Sequence, residues 1–408
     1  MSNHKTPSIR FKGFTDDWEQ RKLGNVIEIA YQGINTTADK VEYVSEGVPI
    51  LQGKHITSGK IDYKDVRYLD KEKYESVYYP KYVPKVNDIL LANIGTIGPL
   101  VVMKPGVELL IAWNIMLIRL NKMGDVKFVK VFLDKLNNSN FYESIMRGNA
   151  TKFINKDGIM SIEIPYPTIC EQEKIGAWFE QLDNLITLHQ RKYEKLVNVK
   201  KSMLDKMFPK NGEKVPEIRF KGFTDDWEQR KLGELISEYK ETVDSSCTLP
   251  VLTSSKTEGV ILQEEHFGRK QQHDITGYNV LPRSYCTYRN RSDGVDFTFN
   301  VNECCDMGII SKFYPVFCGN DNDTYFLSLV LNNSDEVVHE IAYTCTGTGQ
   351  KVLSFLDLQK MSIRVPRHDE QKKISAYFKQ LDNLITLHQR ELEKLQNLKK
   401  SLLNSMFI

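Results

Sequence analysis

The sequence predicts an α+β protein in which a mixed α/β or mostly β lobe of about 150 residues, followed by a long helix, occurs twice. Two observations predict this. The segment Gln181–Arg191 recurs letter for letter at Gln380–Arg390, and Ile9–Gly24 recurs at Ile218–Gly233. Near-exact repetition within one chain indicates duplication of a whole unit. We therefore expect two mixed α/β domains separated by two long antiparallel coiled-coil helices with pseudo-two-fold symmetry.

The two long helices are predicted from a 4-3 spacing that persists from Gln172 to Phe208 and from Gln371 to Phe407. At about 1.5 Å per residue, each helix would extend on the order of 55 Å. Four polar residues fall on the predicted seams. Either they set the register of the pairing, or the lysine stems lie along the seam with their amines in water. These seam residues are His189, Lys200, His388 and Lys399.

The linker Pro209–Glu217 constrains how the repeats are arranged. Fully extended, it reaches at most about 30 Å, which is too short to return along the first helix. The second lobe is therefore expected near the far end of that helix, with the second helix running back antiparallel. The predicted segments are a first lobe over 1–170, a helix over 171–210, a second lobe over 211–369 and a helix over 370–408.

The repeated leader is expected to fold as a short helix. Thr15, Asp16 or Asp17 would cap it, and it would carry Trp18 and Leu23 toward a core. Within the lobes, alternating and apolar runs predict strands, and two longer runs predict helices, at Lys127–Asn137 and Tyr325–Leu331. The predicted strands are Val48–Leu51, Asp88–Leu91, Leu100–Met103, Ile111–Leu120, Thr248–Leu252, Tyr285–Tyr288, Phe297–Val301 and Ile309–Phe317.

Composition narrows the function classes. The 55 Lys and Arg against 53 Asp and Glu give a net charge of +2, which neither announces nor excludes nucleic-acid binding. Neither a secretory signal nor an apolar run of membrane-spanning length is present, which predicts a cytoplasmic protein without a membrane partner. The seven cysteines are expected to be reduced thiols.

Catalytic motifs are missing from the sequence. It contains no phosphate-binding G-x-x-x-x-G-K-[ST] loop, no G-x-S-x-G elbow and no H-E-x-x-H helix. We therefore predict a non-catalytic protein that binds no metal or cofactor of its own.

The two lobes differ in sequence but lie between the same repeated leader and helix segments, which suggests two recognition modules. If the target is DNA, the two modules would match two half-sites at a fixed separation. Arg, Lys, Asn, Gln, Ser, Thr and His side chains in the polar loops are the candidate contacts. In the first lobe these are Lys54, His55, Thr57, Lys60, Asn93, Thr96, Arg147, Asn149, Thr151 and Lys152. In the second lobe they are Ser255, Lys256, Arg283, Arg289, Asn290, Arg291, Thr346, Thr348, Gln350 and Lys351.

Several motifs resemble the specificity subunits of Type I restriction-modification enzymes. The Glu-Gln-x-x-Ile and Leu-Asp-x-x-Ile pairs occur at Glu171–Ile175 with Leu182–Ile186, and again at Glu370–Ile374 with Leu381–Ile385. The leaders Trp18–Gly24 and Trp227–Gly233 and the segment Asp88–Gly98 are also similar to that family.

The resemblance implies a non-catalytic, sequence-specific subunit with two target-recognition domains, each reading one half of a bipartite double-stranded DNA target. It implies two modification subunits that methylate adenine with S-adenosylmethionine, and restriction subunits that use ATP and Mg²⁺ to translocate and cut DNA. None of these cofactors is expected on this chain. Two other hypotheses remain at this stage: a self-sufficient methyltransferase or nuclease with a cryptic site, and a coiled-coil protein adaptor without a DNA role.

Overall fold

The computed structural model describes residues 6–57, 59–78, 81–210, 212–269, 274–345 and 350–407. The chain forms two compact units. Unit 1 comprises Met1–Gln190 with Arg390–Ile408, and unit 2 comprises Arg191–Gln389. Each unit thus contains one lobe, the first part of the helix that follows that lobe and the last part of the other long helix. The division into four sequence segments remains a proposal.

Lobe 1 combines an antiparallel sheet with helices. Its strands are β1 (Glu19–Lys22), β2 (Ile27–Gln32), β3 (Val48–Leu51), β4 (Ile56–Thr57), β5 (Lys60–Ile61), β6 (Arg67–Leu69), β7 (Ile89–Ile94), β8 (Thr96–Val102), β9 (Leu110–Ile111), β10 (Ile115–Leu120) and β11 (Glu163–Tyr166). Its helices are α1 (Lys71–Tyr78), α2 (Val126–Asn138), α3 (Lys156–Met160) and the long α4 (Ile169–Lys206). Short 3-10 turns cover Leu23–Asn25, Gly53–His55 and Phe141–Ser144.

Lobe 2 has the same plan. Its strands are β12 (Glu228–Lys231), β13 (Ile236–Tyr239), β14 (Leu252–Ser255), β15 (Gly259–Leu262), β16 (Asn279–Pro282), β17 (Cys286–Thr287), β18 (Arg291–Ser292), β19 (Asn300–Val301), β20 (Met307–Ile310), β21 (Val316–Gly319), β22 (Lys351–Val352) and β23 (Ser362–Val365). Its helices are α5 (Leu232–Leu235), α6 (Gln263–Phe267), α7 (Thr324–Asn333), α8 (Asp335–Thr344), α9 (Phe355–Lys360) and the long α10 (His368–Ser405).

The central sheet of each lobe has four antiparallel strands, in the order β2-β10-β7-β8 in lobe 1 and β13-β21-β17-β19 in lobe 2. One helix packs on each sheet, α2 in lobe 1 and α7 in lobe 2. An aspartate caps each helix: Asp125 accepts the Phe128 N–H at 2.8 Å, and Asp323 accepts the Phe326 N–H at 2.8 Å. The predicted α+β class with two repeated mixed domains is confirmed.

Most of the predicted elements are present, but three strand predictions are wrong, and a fourth, Phe297–Val301, is a strand only at Asn300–Val301. Thr248–Leu252 is not a strand, because the β14–β15 hairpin begins only at Leu252. The runs Ile111–Leu120 and Ile309–Phe317 are each broken by a turn into two strands. Each turn contains apolar or aromatic residues among its polar ones, such as Trp113 and Phe313, so the pattern did not reveal the breaks. The predicted helices at 127–137 and 325–331 are confirmed within α2 and α7.

The leader helix prediction is also wrong. Residues Glu19–Lys22 form strand β1, which pairs antiparallel with β11, with Glu19 opposite Tyr166. Trp18 is buried just before this strand, and Leu23 is buried just after it. The inter-strand ladder satisfies the backbone groups of a segment too short to form a stable helix.

The Glu-Gln motif at the start of each long helix fastens the leader and the lobe to that helix. Glu171 is fully buried and accepts the Arg10 guanidinium through two hydrogen bonds of 2.7 and 2.8 Å. Gln172 accepts the backbone N–H of Asp125 at 3.0 Å, just before α2. In unit 2, Glu370 holds Arg219 at 2.7 Å in the same way. The motif therefore connects three chain segments within each unit.

The long helices begin near the predicted residues but end before Phe208 and Phe407. Past the helix end, the Phe407 ring lies 5.4 Å from the Phe128 ring and 6.2 Å from the Phe179 ring in the unit 1 core. In unit 2, Phe208 packs 6.0 Å from the Phe326 ring. Each lobe core is thus completed by the end of the helix that follows the other lobe.

Within each unit the two helix segments run antiparallel. In unit 1, Asp183 lies 2.6 Å from the Lys399 amine, while Phe179 lies beside Phe407. In unit 2 the equivalent pair, Lys200 and Asp382, is 2.5 Å apart. The amines of Lys200 and Lys399 therefore each bind a carboxylate of the facing helix. These ion pairs favour a role of the two lysines in setting the helix register over the alternative that their amines only extend into water. For the two seam histidines, this role remains a prediction.

The Asp183 carboxylate predicts a pH dependence of unit 1 stability. Burial raises its pKa, but Lys130 and Lys399 more than offset this and lower the pKa below its ordinary value. A depressed folded-state pKa stabilises the fold above the unfolded-state pKa, near 4, and this stabilisation is lost as the pH falls through the folded-state pKa.

We therefore expect Asp183→Asn to lower the urea midpoint at pH 7, and the difference from wild type to shrink toward pH 3. The matched control is Asp17→Asn, which removes an exposed carboxylate of unit 1. A wild-type-to-variant difference that does not change with pH would contradict the assigned role of Asp183.

Candidate nucleic-acid interface

The three loops predicted to contact DNA in lobe 1 meet at the end of strand β7. The Asn93 N–H donates to the Asn114 carbonyl at 3.2 Å, and the Asn93 carbonyl accepts the Ile154 N–H at 2.9 Å. The Gly95 N–H donates to the Lys152 carbonyl at 3.0 Å. The Gly53 N–H donates to the Asn114 side-chain oxygen at 3.1 Å. One network of hydrogen bonds therefore fixes all three loops.

Most of the predicted contact residues of lobe 1 lie exposed on this loop surface. They are Lys54, Thr57, Lys60, Thr96, Arg147, Asn149, Thr151 and Lys152. Its four cations form no ion pair with any residue in the described part of the chain. Because no described residue forms an ion pair with these cations, this surface suits a polyanion.

Two predicted residues of lobe 1 are inside the lobe instead. His55 is 4% exposed, and its Nδ1 accepts the Gln52 N–H at 3.0 Å. Burial lowers the pKa of His55, which favours the neutral ring. Asn93 is 0% exposed and donates from its amide to the Ile154 carbonyl at 2.9 Å. The sequence pattern cannot distinguish loop residues that face solvent from loop residues that point into the lobe. The side chains of His55 and Asn93 point inward and hold the loops in place.

Lobe 2 assembles its loops in the same way. The Asn290 N–H donates to the Phe313 carbonyl at 2.9 Å, and the Asn290 carbonyl accepts the Leu353 N–H at 3.0 Å. Next to it, β18 pairs with β22, with Arg291 opposite Val352. The hairpin β14–β15 joins this surface, because the Asn300 amide donates to the Ser254 hydroxyl at 2.8 Å and the Ser255 carbonyl at 2.9 Å.

The predicted residues of lobe 2 are placed less uniformly. Lys256, Arg289, Arg291 and Gln350 are exposed, whereas Ser255, Asn290 and Lys351 are half-buried. Lys256 forms an ion pair with Asp296. Thr346 and Thr348 lie outside the described residues.

Arg283 is not brought to this surface. It precedes the opposite end of β17, where its guanidinium binds the Asp306 carboxylate at 2.8 Å and the Glu303 carbonyl at 2.7 Å. The sequence around Arg283 is rich in arginine and did not indicate that its side chain lies away from the other candidate residues.

The two lobes thus share a backbone pattern that their sequences do not share. Asn93 and Asn290 occupy equivalent places. The backbone N–H of each donates to the turn before a central strand, and its carbonyl accepts an N–H from the last loop of its lobe, that of Ile154 or Leu353. Each also has a buried side-chain oxygen without a hydrogen-bond partner in the described structure.

Exposed aromatic rings are a feature of these surfaces that the sequence pattern did not indicate. Trp113 and Phe313 lie in the two turns that interrupt the predicted strands, and they are 42% and 39% exposed. Arg291 stacks its guanidinium 4.7 Å over the Phe313 ring. The sequence did contain a signal for these turns: in each strand-like run, a large aromatic residue stands next to a polar residue.

Metal sites and membrane spans are absent from the described residues. No group of three or more His, Cys, Asp and Glu side chains there is arranged to hold a metal ion. No described helix is both long and apolar enough to span a membrane.

The duplicated frame, with an exposed loop surface in each repeat, defines a class of protein, a two-lobed recognition subunit. The chain belongs to the family described as the Type I restriction modification DNA specificity domain, whose model matches residues 15–198 and 224–397. Its role is accordingly that of a DNA specificity subunit, the non-catalytic recognition component of a type I restriction-modification complex.

The chain is also similar to known proteins. The chain is 25% identical to a relative provisionally named the MjaX type I restriction enzyme specificity subunit of Methanocaldococcus jannaschii, over 95% of this chain and 92% of the relative. It is 22% identical to the MjaVIII specificity subunit of the same organism, with the same coverage. The crystal structure of a type I S subunit from M. genitalium shares the fold, with a TM-score of 0.63, 13% identity and 99% of each chain covered.

Proposed function

We propose that each lobe reads one half of a bipartite double-stranded DNA target. The observation that carries this proposal is the recurrence of one loop arrangement in both lobes, built around an asparagine in each but otherwise from unlike residues. The same backbone frame with different side chains is expected to contact DNA in the same way while selecting different bases. The candidate contacts are the exposed loop residues described above, together with the half-buried Ser255, Asn290 and Lys351.

The proposal extends to the partner subunits. Two modification subunits would dock on this chain, one for each repeat, and would bring S-adenosylmethionine to methylate adenine. Restriction subunits would join that assembly and supply the chemistry that depends on ATP and Mg²⁺. Two repeats with equivalent internal contacts support a stoichiometry of two, because equivalent surfaces bind equivalent partners.

A salt titration tests DNA binding by the lobe 1 surface. We expect Lys54→Ala/Lys152→Ala to weaken DNA binding by the assembled modification complex. The plot of log K against log salt should also become shallower, by about 0.9 for each lysine that no longer neutralises a phosphate.

The matched control is Lys71→Ala/Lys73→Ala, which removes the same charge from lobe 1 but from lysines that pair with Glu108 and Glu42. Equal slopes for the two double variants would contradict the proposed surface.

A further inference from the structure

The turn before a central strand carries an exposed aromatic ring in each lobe: Trp113 precedes β10, and Phe313 precedes β21. Both turns lie inside the hydrogen-bond network that gathers the candidate loops, through Asn114 in lobe 1 and the Phe313 carbonyl in lobe 2. Because an exposed aromatic ring occupies an equivalent position in two lobes of different sequence, we infer that the two rings have the same function.

The Trp113 turn is held rigidly. The Trp113 N–H donates to the Ile34 carbonyl at 2.8 Å, and the Trp113 carbonyl accepts the Gln32 amide at 3.1 Å. Strand β2 ends against this turn so closely that a Cβ on Gly33 would lie 2.1 Å from the Ile111 carbonyl oxygen. The indole is therefore presented from a fixed backbone, which lowers the entropy cost of binding through it.

Each of the two turns is connected to cations. Lys54 follows Gly53, which is bonded to Asn114, and its charge is unpaired among the described residues. The Phe313 ring carries Arg291 at 4.7 Å and Lys312 at 5.8 Å. An exposed ring in a turn that is bonded to or carries cations suits DNA, whose phosphates pair with the cations and whose base edges contact the ring.

We propose that Trp113 and Phe313 each place an aromatic ring against the edge of a base, such as the methyl group of a thymine, in the half-site that their own lobe reads. This inference rests on the proposed function. It adds an aromatic contact with a base to each surface. The two turns would then contact DNA in addition to the three loops of each lobe.

Photocrosslinking tests the contact in the wild-type complex. DNA carrying 5-iodouracil at single positions of each half-site is irradiated while bound to the chain assembled with its modification subunits. We expect crosslinks at Trp113 from one half-site and at Phe313 from the other. Trp178 provides the matched control, because it is also 42% exposed in unit 1 but lies on α4; it should not crosslink.

Binding measurements complete the test. Trp113→Ala should weaken binding to the target by about tenfold or more, the range expected when the contact with one specified base pair is lost. Trp113→Phe should retain most of the affinity, and Trp178→Ala should bind DNA like wild type. Phe313→Ala should reduce discrimination only in the half-site that Trp113→Ala leaves unchanged.

The outcomes separate this inference from the function on which it rests. If the wild-type complex shows no sequence-specific binding, the proposed function fails. If wild type binds its target but neither turn crosslinks, and Trp113→Ala matches Trp178→Ala, only the aromatic contact is overturned. A defect in subunit assembly with unchanged DNA binding would also overturn it, because the turns would then be protein contacts.

Discussion

Replacing residues 25–168 with the corresponding lobe of another family member is expected to change one half of the DNA target and leave the other half unchanged. The loop network that gathers Asn93, Asn114 and Lys152 lies wholly inside the exchanged segment. The clamp between Arg10 and Glu171 lies outside it and would continue to hold the new lobe. The change in specificity should be complete for that half-site, since the whole reading surface is replaced.

The exchange is checked by mapping methylated adenines in DNA exposed to the hybrid chain and its modification subunits. The donor's last strand must pair with β1, as β11 does here, but this pairing uses backbone groups and tolerates other side chains. The reciprocal exchange in lobe 2 is the control, and it should alter the opposite half. A hybrid that changes both halves, or neither, would contradict the assignment of one lobe to one half-site.

Glu171→Gln should destabilise unit 1 by roughly 3 kcal/mol, the usual cost of breaking a buried ion pair. Glu171 is fully buried, and its carboxylate accepts two hydrogen bonds from Arg10 and a third from the Trp18 indole at 3.2 Å. The amide deprives Arg10 of its buried, hydrogen-bonded counter-ion and puts a donor where only acceptors fit. Urea unfolding measures the change in stability.

The matched control for this prediction is Glu42→Gln. Glu42 also pairs with a cation in lobe 1, but its side chain is 77% exposed, so no measurable change is expected. In unit 2, Glu370→Gln should have a smaller effect than Glu171→Gln, because the Trp227 indole nitrogen has no hydrogen-bond partner in the described structure, whereas Trp18 does. Equal shifts for Glu171→Gln and Glu42→Gln would contradict the clamp.

The duplicated segments allowed the main architecture to be predicted from sequence. Identical copies at Gln181–Arg191 and Gln380–Arg390 carry the helical period, and both lie within helices of 38 residues. Helical periodicity is a local property that the sequence shows directly. The leader prediction failed because the conformation of Glu19–Lys22 depends on β11, which is distant in sequence.

The candidate surfaces were only partly predictable. Polar composition located the loops, and the structure brings most of them together. Composition could not show that Asn93 points inward or that Arg283 lies at the far end of its strand, because both depend on the path of the backbone. Trp113 was overlooked because it lies within an apolar run whose turn is defined by contacts with Gly33 and Ile34.

The most direct test of the two-lobe reading is a map of methylated adenines in DNA exposed to the wild-type chain and its modification subunits. We expect one bipartite motif, with two specified halves separated by a gap of fixed length and any sequence. A single continuous motif, or methylation by this chain without its partners, would contradict the two-lobe reading.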